Sequence, residues 1–352
     1  MKRSLIAIAG TAAVGGIAAC AVMITPLASA SGSNPIVTLF ASWTIPGDNA
    51  RGIQVSPDGR TVYATSAGSN IVSFLDAKTG ATLLTVPTGA YPTDPALLPN
   101  GSALYIANSH DGTVSVINTK THVVTATIPV PSGNKLEGTV AQPNGAAVWV
   151  VDSTMNTAWK INPVSNSIVG SVSTGNYPWG TAISPDSSTL YVANSNDGTI
   201  NRINTATNVV TGTLWVGTQP QRMRISPDGT HLYVSSGTSP SSVLTVVNTK
   251  TFSVAATVPV GSDSTDVAIT KDGKTAFVSN FFSDSVSVVN TLTNTVTQSL
   301  PTSPCPSPQC YPYEAVLSPD GSRLYVAIYG DPDNFPSGPA NLKVFRVNTA
   351  RG

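Results

Sequence analysis

Charged side chains are scarce in this chain, 18 basic and 18 acidic among 352 residues, so charges that recur at matching positions are conspicuous. Seven short turns punctuate the sequence, each reading "SPDG" or a close variant. Five residues before the second residue of each turn stand Gly52, Asp94, Gly138, Gly180, Arg222, Asp266 and Glu314. Two residues nearer the turn stand Gln54, Ala96, Val140, Ala182, Arg224, Ala268 and Val316. Most of these are small or apolar. Asp94, Arg222, Arg224, Asp266 and Glu314 are the exceptions. Three carboxylates and two guanidinium groups brought together could bind a cation, a carboxylate or a sugar. The same groups can instead neutralise one another as salt bridges lining a channel. In a catalytic version, Asp266, Glu314 and His110 are the candidate acid–base or metal-binding groups, and Arg222 polarises a carbonyl. That version admits a channel-bound divalent cation, although no cofactor motif is evident. His110 lies in "NSHDGT", where the matching segment has Asn196, which points to a turn position. Asp111-Gly112 and Asp197-Gly198 read as hairpin residues rather than metal loops.

Aromatic residues form a second recurrent set. Tyr-Pro occurs at Tyr91, Tyr177 and Tyr311, with Trp179 and Tyr313 two residues after the last two. Tyr329 opens the irregular stretch "YGDPDNFPSGPAN", and a second irregular stretch, "PTSPCPSPQCYPYE", runs from Pro301 to Glu314. Such rings either stiffen loops and cover the core or stack on a carbohydrate or peptide. The partner they suit is a small molecule, a glycan or a protein. Cys305 and Cys310, in "CPSPQC", have spacing that fits neither haem nor a redox motif and carry no flanking His. A disulfide is the reading their context favours. Zincin, nucleophile-elbow and phosphate-loop patterns are absent.

What must position these residues is a repeat. The second residues of the seven turns are 57, 99, 143, 185, 227, 271 and 319, with spacings of 42, 44, 42, 42, 44 and 48. Within each unit a short strand precedes the turn, where Asp-Gly or Asn-Gly accepts positive φ. A second strand follows ("LYIAN" at Leu104, "LYVAN" at Leu190), then an alternating third ("TVSVINT", Thr113–Thr119). An "NTxT" turn leads to a fourth strand, as in "VVTATIPV" (Val123–Val130). Four short antiparallel strands per repeat make one propeller blade. The seventh unit stops after its third strand, and a surplus strand, Pro35–Ile45, precedes the first. Pairing the two closes the ring and removes exposed edges. The fold expected is all-β, a seven-bladed β-propeller of four-stranded antiparallel blades, over residues 31–352. In that architecture the SPDG and NTxT turns share one rim. The loops after strands two and four share the other, where a ligand is expected.

The run "SPDGxxLYVANSxxGTVSVINTxTxxVxxTIPVG" resembles the YVTN β-propeller repeat family over essentially the whole chain after residue 30. It departs from the pattern in unit three ("VWVVDSTMNTAWKINP") and at Ile328 in unit seven. The resemblance implies the propeller fold and an exported or surface location. More distantly it implies kinship with propeller lactonases and lyases. It does not by itself imply a function.

The first thirty residues carry Lys2 and Arg3, an apolar run and a closing "ASA". This is the pattern of a signal peptide cleaved after Ala30, with a lipoprotein anchored at Cys20 as the alternative. Removing it leaves 16 basic and 18 acidic residues, without the basic footprint that nucleic acid requires. No later apolar run is long enough to span a membrane. The expectation is an exported, monomeric propeller that binds a ligand or partner at its loop rim and central channel without catalysis. A propeller hydrolase or lyase acting on a lactone or similar ring is the alternative.

Overall fold

The computed structural model describes residues 36–131, 135–304, 310–330 and 339–348. Its local structure starts at the turns. Ser56 Oγ donates to Asp58 Oδ1 (2.6 Å) and accepts the Thr61 N–H (2.9 Å), while Gly59 takes φ +70°. These contacts close the hairpin with its own side chains. The NTxT turns close in the same way: Asn118 Oδ1 accepts the N–H groups of Lys120 and Thr121, both at 2.9 Å. The Asn that ends "LYIAN" is a clamp. Buried Asn108 donates to Thr113 Oγ1 and Ser115 Oγ (both 2.9 Å) and accepts the Gly89 N–H (3.1 Å). Asn194 likewise donates to Thr199 and Asn201 and accepts the Gly175 N–H, and Asn280 donates to Ser285 and Ser287. Unit three has Asp152 instead, which accepts the N–H groups of Thr154 and Met155 (2.9 and 3.1 Å). The departure changes the clamp and leaves the blade intact.

Seven four-stranded antiparallel sheets result. The first comprises Ala50–Val55, Thr61–Ser66, Ile71–Asp76 and Thr82–Pro87. The last comprises Tyr311–Leu317, Arg323–Tyr329 and Pro339–Asn348, completed by Ile36–Asp48 from the start of the chain. That closing pair runs from Ile36 opposite Asn348 to Asp48 opposite Pro339. Each inner strand lies against the inner strands of both neighbouring blades, and Ala50–Val55 lies against Tyr311–Leu317. The ring is closed as expected.

The core lies between blades, which is why second and third strands are buried on both faces. Tyr63 and Phe74 of the first blade pack on Leu104, Ile106 and Ile117 of the second. Trp149 and Val151 pack on Leu190, Val192 and Ile203. At the closure, Trp43, Tyr325, Leu342, Val62 and Leu75 form one cluster. Fourth strands alternate between exposed and half-buried residues, as in Val209–Trp215. No described helix is long and apolar enough to cross a membrane. Cys310 is buried and disulfide-bonded, while Cys305 and the proposed leader lie outside the described residues.

Candidate functional site: the central channel

Every inner strand is bulged at the same place. The pairing register slips between Ala50 and Ile53, Pro92 and Pro95, Leu136 and Thr139, and Pro178 and Thr181. It slips likewise between Pro220 and Met223, Ser264 and Asp266, and Pro312 and Ala315. A bulge sets two residues against one on the partner strand and breaks the alternation of faces. Residues one position before the expected column therefore also reach the channel. That brings in Arg51, Glu137, Trp179 and Tyr313 beside Asp94, Arg222, Asp266 and Glu314. Sequence reasoning missed Arg51 and Glu137. The signal was there, since two opposite charges occupy the same repeat position.

Two layers of ion pairs cross the channel. Arg51 Nη2 lies 2.6 Å from Glu137 Oε2. Arg222 holds Asp94 with two hydrogen bonds, Nε to Oδ2 at 2.9 Å and Nη2 to Oδ1. All four residues are buried. The Tyr313 ring carries the Arg222 guanidinium 4.5 Å from its centroid and that of Arg51 at 5.3 Å. The third pair is looser: Arg224 Nη2 stands 3.8 Å from Asp266 Oδ1, with the Arg224 side chain 44% exposed and that of Asp266 fully buried. Glu314 makes no ion pair among the described residues, and its Oε2 accepts the Ile53 N–H at 3.1 Å.

Burial controls the charge states. It pushes the Glu314 carboxyl well above the ordinary glutamate value, and Asp94 and Asp266 add repulsion that Arg222 does not offset. Burial also raises Asp266 against the pull of Arg224 and Arg222, and Glu137 against the pull of Arg51. The channel thus holds three guanidinium groups and four carboxyls, and burial disfavours the charged forms of Glu314, Asp266 and Glu137.

On the loop side, aromatic rings surround this column. Arg51 lies 5.0 Å from the Tyr91 centroid and 5.8 Å from that of Trp179. Tyr177 stacks on Trp179 (5.7 Å, 20°), and the Lys135 ammonium lies 4.8 Å from the Tyr177 ring. Tyr91 and Tyr329 share a hydrogen bond through their hydroxyls at 2.8 Å. Tyr91 and Tyr177 take φ of +57° and +58°, a left-handed conformation uncommon for an aromatic residue. It turns each ring at the end of the fourth-to-first loop. Tyr311 is buried and stacks on Phe281 at 4.5 Å, so it packs the rim rather than faces outward. Tyr91, Tyr177, Trp179 and Tyr329 remain half-buried.

His110 is exposed and stacks on Tyr91, with centroids 4.3 Å apart. Asp266 and Glu314 instead face a cavity of about 130 Å3 shared with Asp94, Arg222, Arg224 and Gln54. The three candidate acid–base residues therefore do not form one constellation. The cavity lies among the turn-side halves of the inner strands, where Gln54, Thr139, Val140 and Arg224 are half-buried. This is the turn side of the ring, opposite the rim where a ligand is expected. No cluster of three or more His, Cys, Asp and Glu suited to a metal occurs among the described residues.

No family model and no curated protein matches the chain. Solved structures do. One is hydrazine synthase from Kuenenia stuttgartiensis, to which the chain is 20% identical. The TM-score is 0.75, covering 87% of this chain and 97% of that one. At that identity the likeness establishes the propeller fold alone.

Proposed function

We propose that the chain is an exported propeller, its first thirty residues removed after Ala30, that binds a glycan at its loop rim without turning it over. One observation carries this reading. The half-buried rings of Tyr91, of Tyr177 and Trp179, and of Tyr329 come from three different blades and gather about Arg51 and Lys135. Aromatic faces beside cationic donors suit a sugar, whose C–H faces stack while its hydroxyls accept hydrogen bonds. The groups below are engaged with one another: Arg222 is held by Asp94, and Arg51 by Glu137. A catalytic guanidinium free to polarise a carbonyl is not favoured by that pairing. Screening the protein and Tyr177→Ala against cell-wall and capsule glycans tests the reading. Retained binding in the variant, or no binding by the parent protein, would count against it.

A hydrolase or lyase reading keeps one observation in its favour. Asp266 and Glu314 face one cavity, and burial with the repulsion of Asp94 and Asp266 pushes the Glu314 carboxyl well above the ordinary glutamate value, the direction a general acid needs. That reading requires lactone turnover that Asp266→Asn abolishes.

A further inference from the structure

The turn-side cavity has hydrogen-bonding capacity that the fold leaves unused. Most of its polar atoms are engaged. Both Asp94 oxygens are taken by Arg222, Asp266 Oδ2 accepts the Ala315 N–H (2.9 Å), and Arg224 Nε donates to the Val267 carbonyl (3.1 Å). Two buried atoms have no hydrogen-bond partner, Asp266 Oδ1 and Arg222 Nη1. Asp266 is 0% exposed and Arg222 5% exposed. Burying such atoms unsatisfied forfeits the hydrogen bonds that water would give them, so something polar belongs beside them. The 3.8 Å between Asp266 Oδ1 and Arg224 Nη2 is too long for a hydrogen bond. It leaves an acceptor and a donor side by side, with the partly exposed Arg224 at the mouth.

We infer that this cavity is a second binding site, distinct from the loop rim, for the vicinal diol of a short polyol or sugar. One hydroxyl donates to Asp266 Oδ1, and its neighbour accepts from Arg224 or from Arg222 Nη1. Charge selects against ions. Arg222 faces Asp94 and Arg224 faces Asp266, one cation for each aspartate, so an added ion in so buried a place would lack compensation. A neutral ligand with adjacent donor and acceptor keeps that balance. The cavity volume of about 130 Å3 suits a small molecule or one edge of a sugar ring rather than a chain. A glycan-binding rim is not needed for this site to exist.

Ligand-observed NMR titration of the protein with erythritol tests the inference, with glycolate and ethanolammonium as the anionic and cationic probes. Saturable erythritol binding is expected, weakened at least tenfold in Arg224→Gln and Asp266→Asn and unchanged in Tyr177→Ala. Arg224 is partly exposed, so its variant still reports if the Asp266 variant fails to fold. No saturable erythritol binding, preference for either ion, or equal affinity in folded Arg224→Gln overturns it. Loss of rim glycan binding with erythritol binding intact would overturn only the rim reading.

Discussion

Arg51 and Glu137 show how much one buried pair matters here. Both are sealed in the channel, 4% and 1% exposed. Removing one partner strands the other's charge, at a cost of about 3–5 kcal/mol. Arg51→Met is therefore expected to lower unfolding free energy by that amount in urea denaturation, and adding Glu137→Leu should recover most of the loss. Glu314 makes a prediction of opposite kind. Its folded pKa lies well above the ordinary 4.5, so between those values the native state binds more protons than the unfolded chain. The stability this contributes is complete below 4.5 and is lost as pH rises through the folded pKa. Melting temperature measured against pH should fall across that window, and Glu314→Gln should flatten the fall. Asp266 and Glu137, both raised by burial, will keep a residual slope. The carboxyls and arginines of the main column were legible in the sequence because they broke a run of small residues. Their pairing was not, since Asp94 and Arg222 lie 128 residues apart and only the closed ring brings them together.

The inner strand is the element that sets the site, and its bulge is the feature strict alternation cannot show. Counting by twos sends Arg51, Glu137, Trp179 and Tyr313 toward a neighbouring blade, whereas the bulge returns them to the channel. Trp179 and Tyr313 were recognised by type and by their place after Tyr-Pro rather than by register. Gly180, one of three glycines in the main column, has a steric cause. A Cβ at Gly180 would stand 2.4 Å from the Gln221 carbonyl oxygen and 2.7 Å from the Arg222 Cα. Both obstacles are backbone, so the neighbouring strand must move. Gly180→Ala is expected to cost about 1–3 kcal/mol by overpacking. It should also displace Arg222 from Asp94, visible as shifted guanidinium resonances by NMR. The turns were readable in full, because Ser-Pro-Asp-Gly and Asn-Thr carry their own hydrogen-bonding instructions. The aromatic φ values at Tyr91 and Tyr177 were hidden, since nothing local in Tyr-Pro demands them.

At the scale of the whole molecule, the repeat period and the surplus first strand specify the ring and its closure. Pairing of Ile36–Asp48 with Pro339–Asn348 joins the first and last described strands in one sheet. Deleting residues 36–48 should leave a three-stranded last blade and an exposed edge. Loss of a single cooperative melt, with aggregation on size-exclusion chromatography, is the expected result. The two ends of the channel make different demands on a ligand. The loop end offers aromatic faces, and the turn end a small charged cavity. Calorimetric titration of the protein, Tyr177→Ala and Asp266→Asn with a soluble glycan selected by the panel tests the central claim most directly. The rim account predicts saturable binding that weakens at least tenfold in Tyr177→Ala and is unchanged in folded Asp266→Asn, with no product formed. Binding indifferent to Tyr177→Ala, or conversion of the glycan that stops in Asp266→Asn, would contradict it.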